Sequence, residues 1–368
     1  MRSSFLVPIS RTNASSDGQG HADLRRPRTL APVIEADVLV VGAGAIGGIT
    51  AAKMTGEVRR VVVLDANAEH VGRMRDPGLV WEEAGSEHER RLEAYSDPDD
   101  IEGDFDFALV GVKAAYHQAA LEPLVERGLA RAYVSMGNGL IQDRMAGIVG
   151  EGKLLACLVE WGGSNMGPGR LVRDTIAPFV VGELDGEVRE RTRAVAAALA
   201  PVDEVRLSSN IRGQIWSKLL INSTFTGLSA VSGLRYGGVG EHPEGREVAY
   251  GIWTEGYDVG MAEGLELEQV LGIHPRDLVV REPGDRERAD SAVGVLMELA
   301  GNTRPSMLQD LEQGRATEVD VVCGGVIERG REHGIATPLN EGVVELVHSM
   351  ERGERSPSPD SFALLLDR

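Results

Sequence analysis

Runs of aliphatic and β-branched residues alternate with glycine turns and helical stretches up to about residue 205. The segment "ADVLVVGAGAIGGITAAKMTG" from residue 36 predicts a buried strand, a glycine turn and a helix, and "VRRVVVLDAN" from residue 58 predicts a second buried strand. Unbroken apolar strands separated by helices are typical of a parallel sheet covered on both faces. The pattern therefore predicts a doubly wound α/β domain, with further strands at 105–113, 132–139, 153–162 and 177–184 and a helix around 116–128.

From residue 211 the periodicity becomes that of helices, and no buried strand pattern recurs. Helices are predicted at 211–232, roughly 245–265, 287–300 and 317–333. We therefore divide the chain into four parts: a disordered N-terminal extension (1–35), the doubly wound α/β domain (36–205), a helical domain (206–350) and a peripheral C-terminal tail (351–368).

Composition narrows the classes of protein that fit this pattern. Hydrophobic residues make up 42% of the chain and charged residues 26%, as in globular domains, and no run resembles a membrane span. A formal net charge of -19 argues against nucleic acid and anionic membranes as partners. The two cysteines, Cys157 and Cys323, have no metal-ligand spacing around them, so we expect two buried thiols in a reducing cytoplasm and no metal site. His88 lies between two glutamates in the segment 86–100, which we interpret as a solvated charged stretch.

The glycine-rich turn at 42–47 is the first candidate binding site. Its G-x-G-x-x-G pattern follows a predicted strand and opens a predicted helix, the context in which a pyrophosphate binds at a helix N-terminus. Asp65 ends the second strand, where a carboxylate accepts hydrogen bonds from the adenosine ribose and repels a 2′-phosphate. The sequence therefore favours NAD(H), while nearby arginines (Arg59, Arg60, Arg73 and Arg75) leave a phosphate contact, and with it NADP(H), open. The turn comprises Gly42, Ala43, Gly44, Ala45, Ile46 and Gly47.

Lysine is rare in this chain. Of 38 Lys and Arg residues only four are lysine, and one of them, Lys218, lies in the apolar segment "IWSKLLINSTFT". Lysine can lose its proton at accessible pH, whereas arginine does not. Asn222 and Thr226 follow at intervals of four residues, so the three side chains share a face on a helix. Because burial lowers a lysine pKa toward neutrality, Lys218 beside a nicotinamide is a candidate proton donor to a carbonyl oxygen; a lysine that snorkels over apolar neighbours is the alternative.

A second polar cluster lies in "RPSMLQDLEQGRATEVD". Thr317 and Asp320 are predicted to form a capping box for the following helix, which places Glu318 in the first helical turn. From these residues alone, Glu318 is a candidate partner for Lys218, and Ser306 is a candidate hydroxyl. Arg304 and Arg315 flank the cluster. Either they help to attract an anionic substrate or they are ordinary surface charges.

Five short segments together carry a family resemblance. "GAGAIGG", "VGVKA", "GNGL", "WSKLLIN" and "SMLQD…TEVD" occur in the order and spacing of ketopantoate reductases (2-dehydropantoate 2-reductases), and the chain resembles that family over roughly residues 37–348. The resemblance implies an N-terminal Rossmann domain, a helical C-terminal domain like that of 6-phosphogluconate dehydrogenase, and an active site in the cleft between them. It also implies NAD(P)H-dependent reduction of a small 2-oxo acid to the 2-hydroxy acid, with ketopantoate to pantoate as the first candidate.

The resemblance implies a role for individual residues. Lys218 matches the catalytic lysine that protonates the keto oxygen, and Asn222 resembles a residue that helps hold the substrate. Glu318 matches the carboxylate that contacts substrate and lysine, and Ser306 matches a hydroxyl that binds the substrate carboxylate. Two further residues match positions that line the cofactor near its nicotinamide: Asn138 and Lys113.

Three positions depart from the family pattern. Asp65 stands where members that use NADPH usually place an arginine, which again favours NADH. Thr226 replaces a common second asparagine and changes the contacts to the hydroxyl end of the substrate, and "SMGNGL" replaces the more usual Gln-Asn-Gly. Thr226 and Asp65 favour a second hypothesis, an NAD-dependent dehydrogenase of a different small anionic hydroxy acid. A third hypothesis, a non-catalytic NAD(H)-sensing protein, would be marked by loss of Lys218 or Glu318. A homodimer through the helical part is one option for the assembly.

Overall fold

The computed structural model of the protein describes residues 33–368. The predicted extension lies outside this range except at its end, where Ile34 and Glu35 belong to the first strand rather than to a disordered segment. Within residues 33–368 the chain forms twelve strands: β1 (Ile34–Val41), β2 (Val58–Leu64), β3 (Leu79–Glu83), β4 (Ser86–Arg90), β5 (Glu93–Tyr95), β6 (Phe107–Val110), β7 (Tyr133–Ser135), β8 (Leu154–Val159), β9 (Gly163–Gly167), β10 (Arg170–Arg173), β11 (Phe179–Glu183) and β12 (Val205–Ser208).

Eight of these strands form one sheet in the order β12-β11-β8-β7-β6-β1-β2-β5. Neighbouring strands are parallel except for β11 and β8, which are antiparallel. The six strands predicted from apolar runs are β1, β2, β6, β7, β8 and β11, so the doubly wound sheet is confirmed. The chain order reverses between β1 and β6, and the loops after these two strands therefore flank the crevice at the carboxyl edge of the sheet.

Fourteen helices accompany the strands in the described range: α1 (Ala45–Met54), α2 (Ala68–Arg73), α3 (His117–Glu126), α4 (Gln142–Val149), α5 (Glu190–Leu199), α6 (Ile211–Ile221), α7 (Gly227–Ser232), α8 (Tyr236–Glu241), α9 (Pro243–Ala262), α10 (Arg286–Ala300), α11 (Ser306–Glu312), α12 (Val319–Glu332), α13 (Pro338–Glu351) and α14 (Ser361–Leu366). None of the helices in this range is long and apolar enough to cross a membrane. The helices from α6 onward pack into a core of their own, as the change of periodicity at residue 211 predicts.

Both faces of the large sheet are buried. On β1, Val38 and Val40 enter one core, which α1 and α5 cover, whereas Leu39 and Val41 enter another core under α3 and α4. Both faces of β1 from Val38 to Val41 are therefore covered, which explains why this part of the strand is an unbroken apolar run in the sequence.

A second, four-stranded sheet has the order β4-β3-β10-β9, and the sequence pattern did not predict it. The segment 86–100, interpreted as a solvated stretch, contributes β4 to this sheet and β5 to the edge of the large sheet. All residues of β4 are exposed, and His88 stacks on Trp81 with ring centroids 5.0 Å apart. Short polar edge strands of this kind carry little hydrophobic signal, because their pairing depends on backbone hydrogen bonds to distant segments.

The C-terminal tail is a further difference from the prediction. Helix α13 runs past residue 350 to Glu351, and α14 packs into the helical core with Phe362 and Leu365 fully buried. The phenyl ring of Phe362 lies 5.0 Å from the imidazole of His242. The tail is therefore part of the packed structure and not peripheral.

Candidate active site

The glycine turn lies at the carboxyl edge of the large sheet and opens α1. Gly42 has φ +90°, a backbone conformation that residues with a Cβ atom rarely adopt. A Cβ atom on Gly47 would lie 2.0 Å from the carbonyl oxygen of Gly42. A Cβ on Gly44 would meet no atom within 4 Å, so space remains in front of the first turn of α1. No side chain of the described residues caps this helix N-terminus. The open space and the amides of the first turn fit the pyrophosphate of a dinucleotide.

Asp65 follows β2, and its carboxylate faces the glycine turn. Its Oδ2 atom accepts a hydrogen bond of 2.7 Å from the backbone N–H of Ala43, and its Oδ1 atom accepts one of 2.9 Å from the N–H of Asn67. These bonds fix the carboxylate while each oxygen keeps capacity for another donor. The side chain therefore fits the ribose-binding role that the sequence predicts for it.

The four nearby arginines differ in whether they are free to contact a phosphate group of the cofactor. Arg59 and Arg60 lie inside β2 rather than before it, at the end of the strand remote from Asp65. Arg59 forms ion pairs with Asp37 and Glu35, and Arg60 pairs with a carboxylate of β5. Arg73 and Arg75 are exposed. Of the four, only these last two are free of an ion pair among the described residues.

His70 also supports the glycine turn, and the sequence analysis missed it. The imidazole is buried, and its Nδ1 atom accepts a hydrogen bond of 2.8 Å from the N–H of Gly169. The Nε2 atom must then carry the hydrogen, and it donates to the carbonyl oxygen of Ala43 at 2.8 Å. His70 thus links the turn to the loop between β9 and β10. A lone histidine in a polar segment gives no sequence signal for such a contact.

Lys218 lies in the last turn of α6 and points toward the carboxyl ends of β7 and β8. Its ammonium donates to the carbonyl oxygen of Val159 at 2.6 Å and to Oδ1 of Asn138 at 3.1 Å. Desolvation lowers the pKa of Lys218, and the negative charges of Glu160 and Glu318 oppose this effect. A lysine in these surroundings gives up its proton more readily than a solvated one.

Asn138 links Lys218 to Glu318. Because the lysine has only donors, Asn138 presents its oxygen to Lys218, and its Nδ2 atom therefore donates to Oε2 of Glu318 at 3.4 Å. Desolvation raises the pKa of Glu318, and the hydrogen bond from Asn138 opposes this. Glu318 contacts the lysine through the asparagine and has no direct hydrogen bond with it. Three side chains from three distant parts of the chain thus form one hydrogen-bonded series.

The start of α12 differs from the predicted capping box. Glu318 itself is the N-cap residue, with φ -104° and ψ 21°, and its own side chain makes no capping hydrogen bond. Thr317 Oγ1 instead accepts a hydrogen bond of 3.3 Å from the N–H of Val319. Glu318 therefore precedes the helix, and its side chain turns toward the cleft and not along the first turn.

A small pocket opens beside this series, between the carboxyl edge of the sheet and the helical core. Residues Asn222–Thr226 form a π-helical turn that joins α6 to α7, so the predicted single helix 211–232 is interrupted here. The turn presents Asn222 and Thr226 to the pocket, and Ser306 faces it from the first turn of α11. The full lining is Asn138, Asn222, Thr226, Ser306, Met307, Asp310, Glu318 and Val322.

Lys113 follows β6 and reaches across the cleft to Asp310. Its ammonium lies 2.7 Å from Oδ2 of Asp310 and 3.0 Å from the carbonyl oxygen of Ala316. Asp310 is 4% exposed and also accepts a hydrogen bond from Arg315 at 3.0 Å. Arg304 pairs with Glu312. Both flanking arginines are thus occupied by carboxylates, and Lys113 connects the sheet to the helical half.

Sequence analysis did not identify Asp310, which lines the pocket, or Tyr236, which contacts a lining residue. Asp310 lies four residues after Ser306 on α11, a helical spacing that places both side chains on one face and was available as a signal. Thr226 Oγ1 lies 2.6 Å from the hydroxyl of Tyr236, a residue that no sequence pattern singled out. The other predicted site residues meet at the carboxyl edge of the sheet and at the pocket beside it.

Fold and site together define the class of protein: an NAD(P)-dependent oxidoreductase in which a Rossmann sheet precedes a helical half. A family model described as ketopantoate reductase PanE/ApbA matches residues 38–186, and one described as ketopantoate reductase PanE/ApbA C terminal matches residues 210–351. These matches span most of the chain, and the protein belongs to the ketopantoate reductase family.

Curated relatives and solved structures agree with this assignment. A 2-dehydropantoate 2-reductase of Halobacterium salinarum is 26% identical over 318 residues, which span 86% of this chain and 99% of the relative. One from Archaeoglobus fulgidus is 27% identical over 86% of this chain and 98% of its own length. Among solved structures, a PanE/ApbA family ketopantoate reductase from Ralstonia eutropha is 25% identical with a TM-score of 0.72, over 86% of this chain and 99% of that chain. D-mandelate dehydrogenase with NADH and anilino(oxo)acetate shares the fold, with a TM-score of 0.73 and 23% identity over 86% of this chain and 99% of that one.

Proposed function

We propose that the protein reduces a small 2-oxo acid to the 2-hydroxy acid, that ketopantoate is its first candidate substrate, and that NADH is its preferred reductant. The observation that carries this proposal is the hydrogen-bonded series Lys218–Asn138–Glu318 at the side of a polar pocket. The series lies at the carboxyl edge of the sheet, where the glycine turn also opens. A proton donor and a dinucleotide site therefore share one crevice.

Lys218 donates the proton in this mechanism. The bound nicotinamide supplies the hydride for the carbonyl carbon. The Lys218 ammonium is partly desolvated, so it transfers its proton to the developing alkoxide more readily than a lysine in water. Asn138 holds the ammonium in place through Oδ1, and the Glu318 carboxylate, through the same asparagine, keeps the amide in that orientation.

Substrate binding rests on the polar lining of the pocket. Ser306 and Asn222 supply neutral hydrogen-bond donors for a carboxylate, and Glu318 supplies an acceptor for a substrate hydroxyl. The flanking arginines are paired with carboxylates, whereas Lys218 lies next to the pocket through its hydrogen bond to the lining residue Asn138, so we assign the attraction of an anionic substrate to Lys218. A small acid is thus drawn to the residue that protonates it.

The preference for NADH rests on Asp65. Its carboxylate is held at the glycine turn by two backbone amides, and a 2′-phosphate at this position would meet a fixed negative charge. Arg73 and Arg75 are the residues that would support NADPH instead.

A second candidate function is the dehydrogenation of a different hydroxy acid by the same site. The specific observation in its favour is that Thr226 at the pocket is hydrogen-bonded to the buried hydroxyl of Tyr236. The pocket therefore differs in shape and polarity at one end from a pocket with an asparagine there.

Initial rates of cofactor oxidation with ketopantoate test the proposal. We expect turnover with a kcat/KM for NADH at least about tenfold above that for NADPH, because repulsion by one fixed charge is worth about that factor. Replacing Asp65 with serine should reduce the ratio of kcat/KM for NADH to kcat/KM for NADPH by about tenfold, mainly because the KM for NADPH falls. A wild-type preference for NADPH would contradict the proposed role of Asp65 but would not affect the proposed role of Lys218 as proton donor. Binding of NADH without turnover of ketopantoate would favour the second candidate.

The pH dependence of the two reaction directions provides an independent prediction. Reduction requires the Lys218 ammonium, so its kcat/KM should fall as the pH rises through the pKa of Lys218, which burial holds below the usual value of 10.5. Oxidation of the hydroxy acid requires the neutral amine, so its rate should rise through the same pKa. Steady-state rates from pH 6 to 10 check this. Parallel profiles for the two directions would exclude Lys218 as the group that transfers the proton.

A further inference from the structure

We propose that His70 is a positioning residue for the dinucleotide, because its hydrogen bond to the carbonyl oxygen of Ala43 directs the N–H of Gly44 toward the pyrophosphate. This role rests on the proposed function in one respect, that the glycine turn holds the cofactor, and it deepens that function by naming the group that orients the turn. Neither the glycine motif nor the family resemblance assigns a role to His70.

The backbone fixes the direction of both hydrogen bonds of the imidazole. The N–H of Gly169 can only donate, so Nδ1 of His70 accepts, and the carbonyl oxygen of Ala43 can only accept, so Nε2 donates. Both bonds are 2.8 Å long, and His70 is 3% exposed. The ring is therefore held in one orientation, with a single hydrogen that points at the glycine turn.

The peptide that joins Ala43 to Gly44 converts this bond into an orientation of the next amide. In a trans peptide the C=O and N–H bonds point in opposite directions. Because the oxygen of Ala43 points to the buried imidazole, the N–H of Gly44 points away from it. That N–H has no acceptor among residues 33–368, and a Cβ on Gly44 would meet no atom within 4 Å. A free amide thus faces open space, as a phosphate oxygen requires.

His70 and Asp65 hold different peptides of the turn. Asp65 accepts a hydrogen bond of 2.7 Å from the N–H of Ala43 and so holds the preceding peptide, whereas His70 holds the following one. A flip of this second peptide changes ψ of Ala43 and φ of Gly44, and glycine tolerates almost any φ. The local backbone therefore offers little resistance to the flip, which would turn a carbonyl oxygen toward the pyrophosphate. The bond from His70 opposes it.

Two amide substitutions separate the two bonds of the imidazole. The oxygen of asparagine takes approximately the position of Nδ1, and the nitrogen of glutamine takes approximately that of Nε2. His70→Asn therefore keeps an acceptor for Gly169 and loses the donor to Ala43, whereas His70→Gln keeps the donor and loses the acceptor. We expect the Kd for NADH, measured by fluorescence, to rise by about tenfold in His70→Asn and to stay within about threefold of wild type in His70→Gln.

The kinetic effect should be confined to cofactor binding. At saturating NADH, kcat for 2-oxo acid reduction should stay within about twofold of wild type in both variants, because His70 acts on the turn and not on the reacting atoms. The Kd for NADPH should rise by the same factor as that for NADH, since both dinucleotides carry the pyrophosphate. His242→Asn is the matched control: His242 also accepts a backbone N–H, that of Gly245 at 3.3 Å in the helical half, and its replacement should leave both Kd values unchanged.

Thermal unfolding without cofactor shows that each variant folds and how much stability it loses. Each amide variant of His70 lacks one buried hydrogen bond, so a merely structural role predicts the same rise in Kd for both. Equal Kd values in His70→Asn and His70→Gln, or an unchanged Kd in His70→Asn, would overturn the positioning role. Failure of wild type to bind either dinucleotide would contradict the proposed function and this role with it. Binding of NADH without turnover of ketopantoate would contradict the choice of substrate alone, and the comparison of Kd values would still decide the role of His70.

Discussion

Replacing Lys218 with methionine is expected to lower kcat for 2-oxo acid reduction by about a thousandfold, because general acid catalysis typically contributes a factor of that order. Methionine keeps much of the apolar stem and removes the proton and its hydrogen bonds to Val159 and Asn138. Binding of NADH, measured by fluorescence, should change by no more than about threefold, since the dinucleotide is held by the glycine turn. Single-turnover rates at saturating NADH separate the loss of chemistry from a loss of binding.

Two further variants test whether residue 218 must be able to release a proton. Lys218→Arg keeps the positive charge but cannot give up a proton, so it should remain at least about a hundredfold below wild type. Lys153 is exposed on the surface, and Lys153→Met is the matched control that should leave kcat unaltered. An arginine variant with near wild-type kcat would show that charge alone, and not proton transfer from residue 218, supports the reaction.

Replacing Gly47 with alanine is expected to destabilise the protein by about 3 kcal/mol or more. The new Cβ would lie 2.0 Å from the carbonyl oxygen of Gly42, a backbone atom that no rotamer change can move away. Overpacking in a rigid site typically costs 1–3 kcal/mol, and a contact with backbone is at the upper end. Denaturant titration of the protein without cofactor measures this loss of stability.

Gly44→Ala provides the matched comparison, because its Cβ would meet no atom within 4 Å. We expect its free energy of unfolding to stay within about 0.5 kcal/mol of wild type, as for a tolerated surface change. Its affinity for NADH should nevertheless fall by about tenfold or more, since the added methyl group occupies the space in front of α1 that a pyrophosphate would fill. Equal stability losses in both variants would contradict the distinction between a glycine required by packing and one required by the ligand.

The assembly of the site shows why its parts could be named from the sequence while their contacts could not. Asn138 and Glu318 are 180 residues apart, and neither position carries a local signal of the other. The family resemblance assigned them to cofactor and substrate, but the structure also makes Asn138 the link between Lys218 and Glu318. The role of Lys218 as proton donor is a proposal that the Lys218 variants above test.

Residues without a motif were missed altogether. His70, Asp310 and Tyr236 act through buried hydrogen bonds or ion pairs to segments far away in sequence. A polar residue in an apolar stretch indicates that some partner exists, yet it does not indicate which one. The same reason explains the second sheet, whose polar strands β4 and β9 are defined by the strands they pair with.

The sequence by itself determined the large parallel sheet, the glycine turn and the change to a helical half, because each depends on local periodicity and on residue types with fixed backbone preferences. It also singled out Lys218, because lysine is rare in this arginine-rich chain and a charged side chain is unexpected in an apolar helix. Only the tertiary structure decided the π-helical turn at Asn222–Thr226, the burial of the C-terminal helix and the hydrogen bond between Thr226 and Tyr236. These features depend on packing and on the pairing of buried polar groups across the chain, which no local pattern encodes.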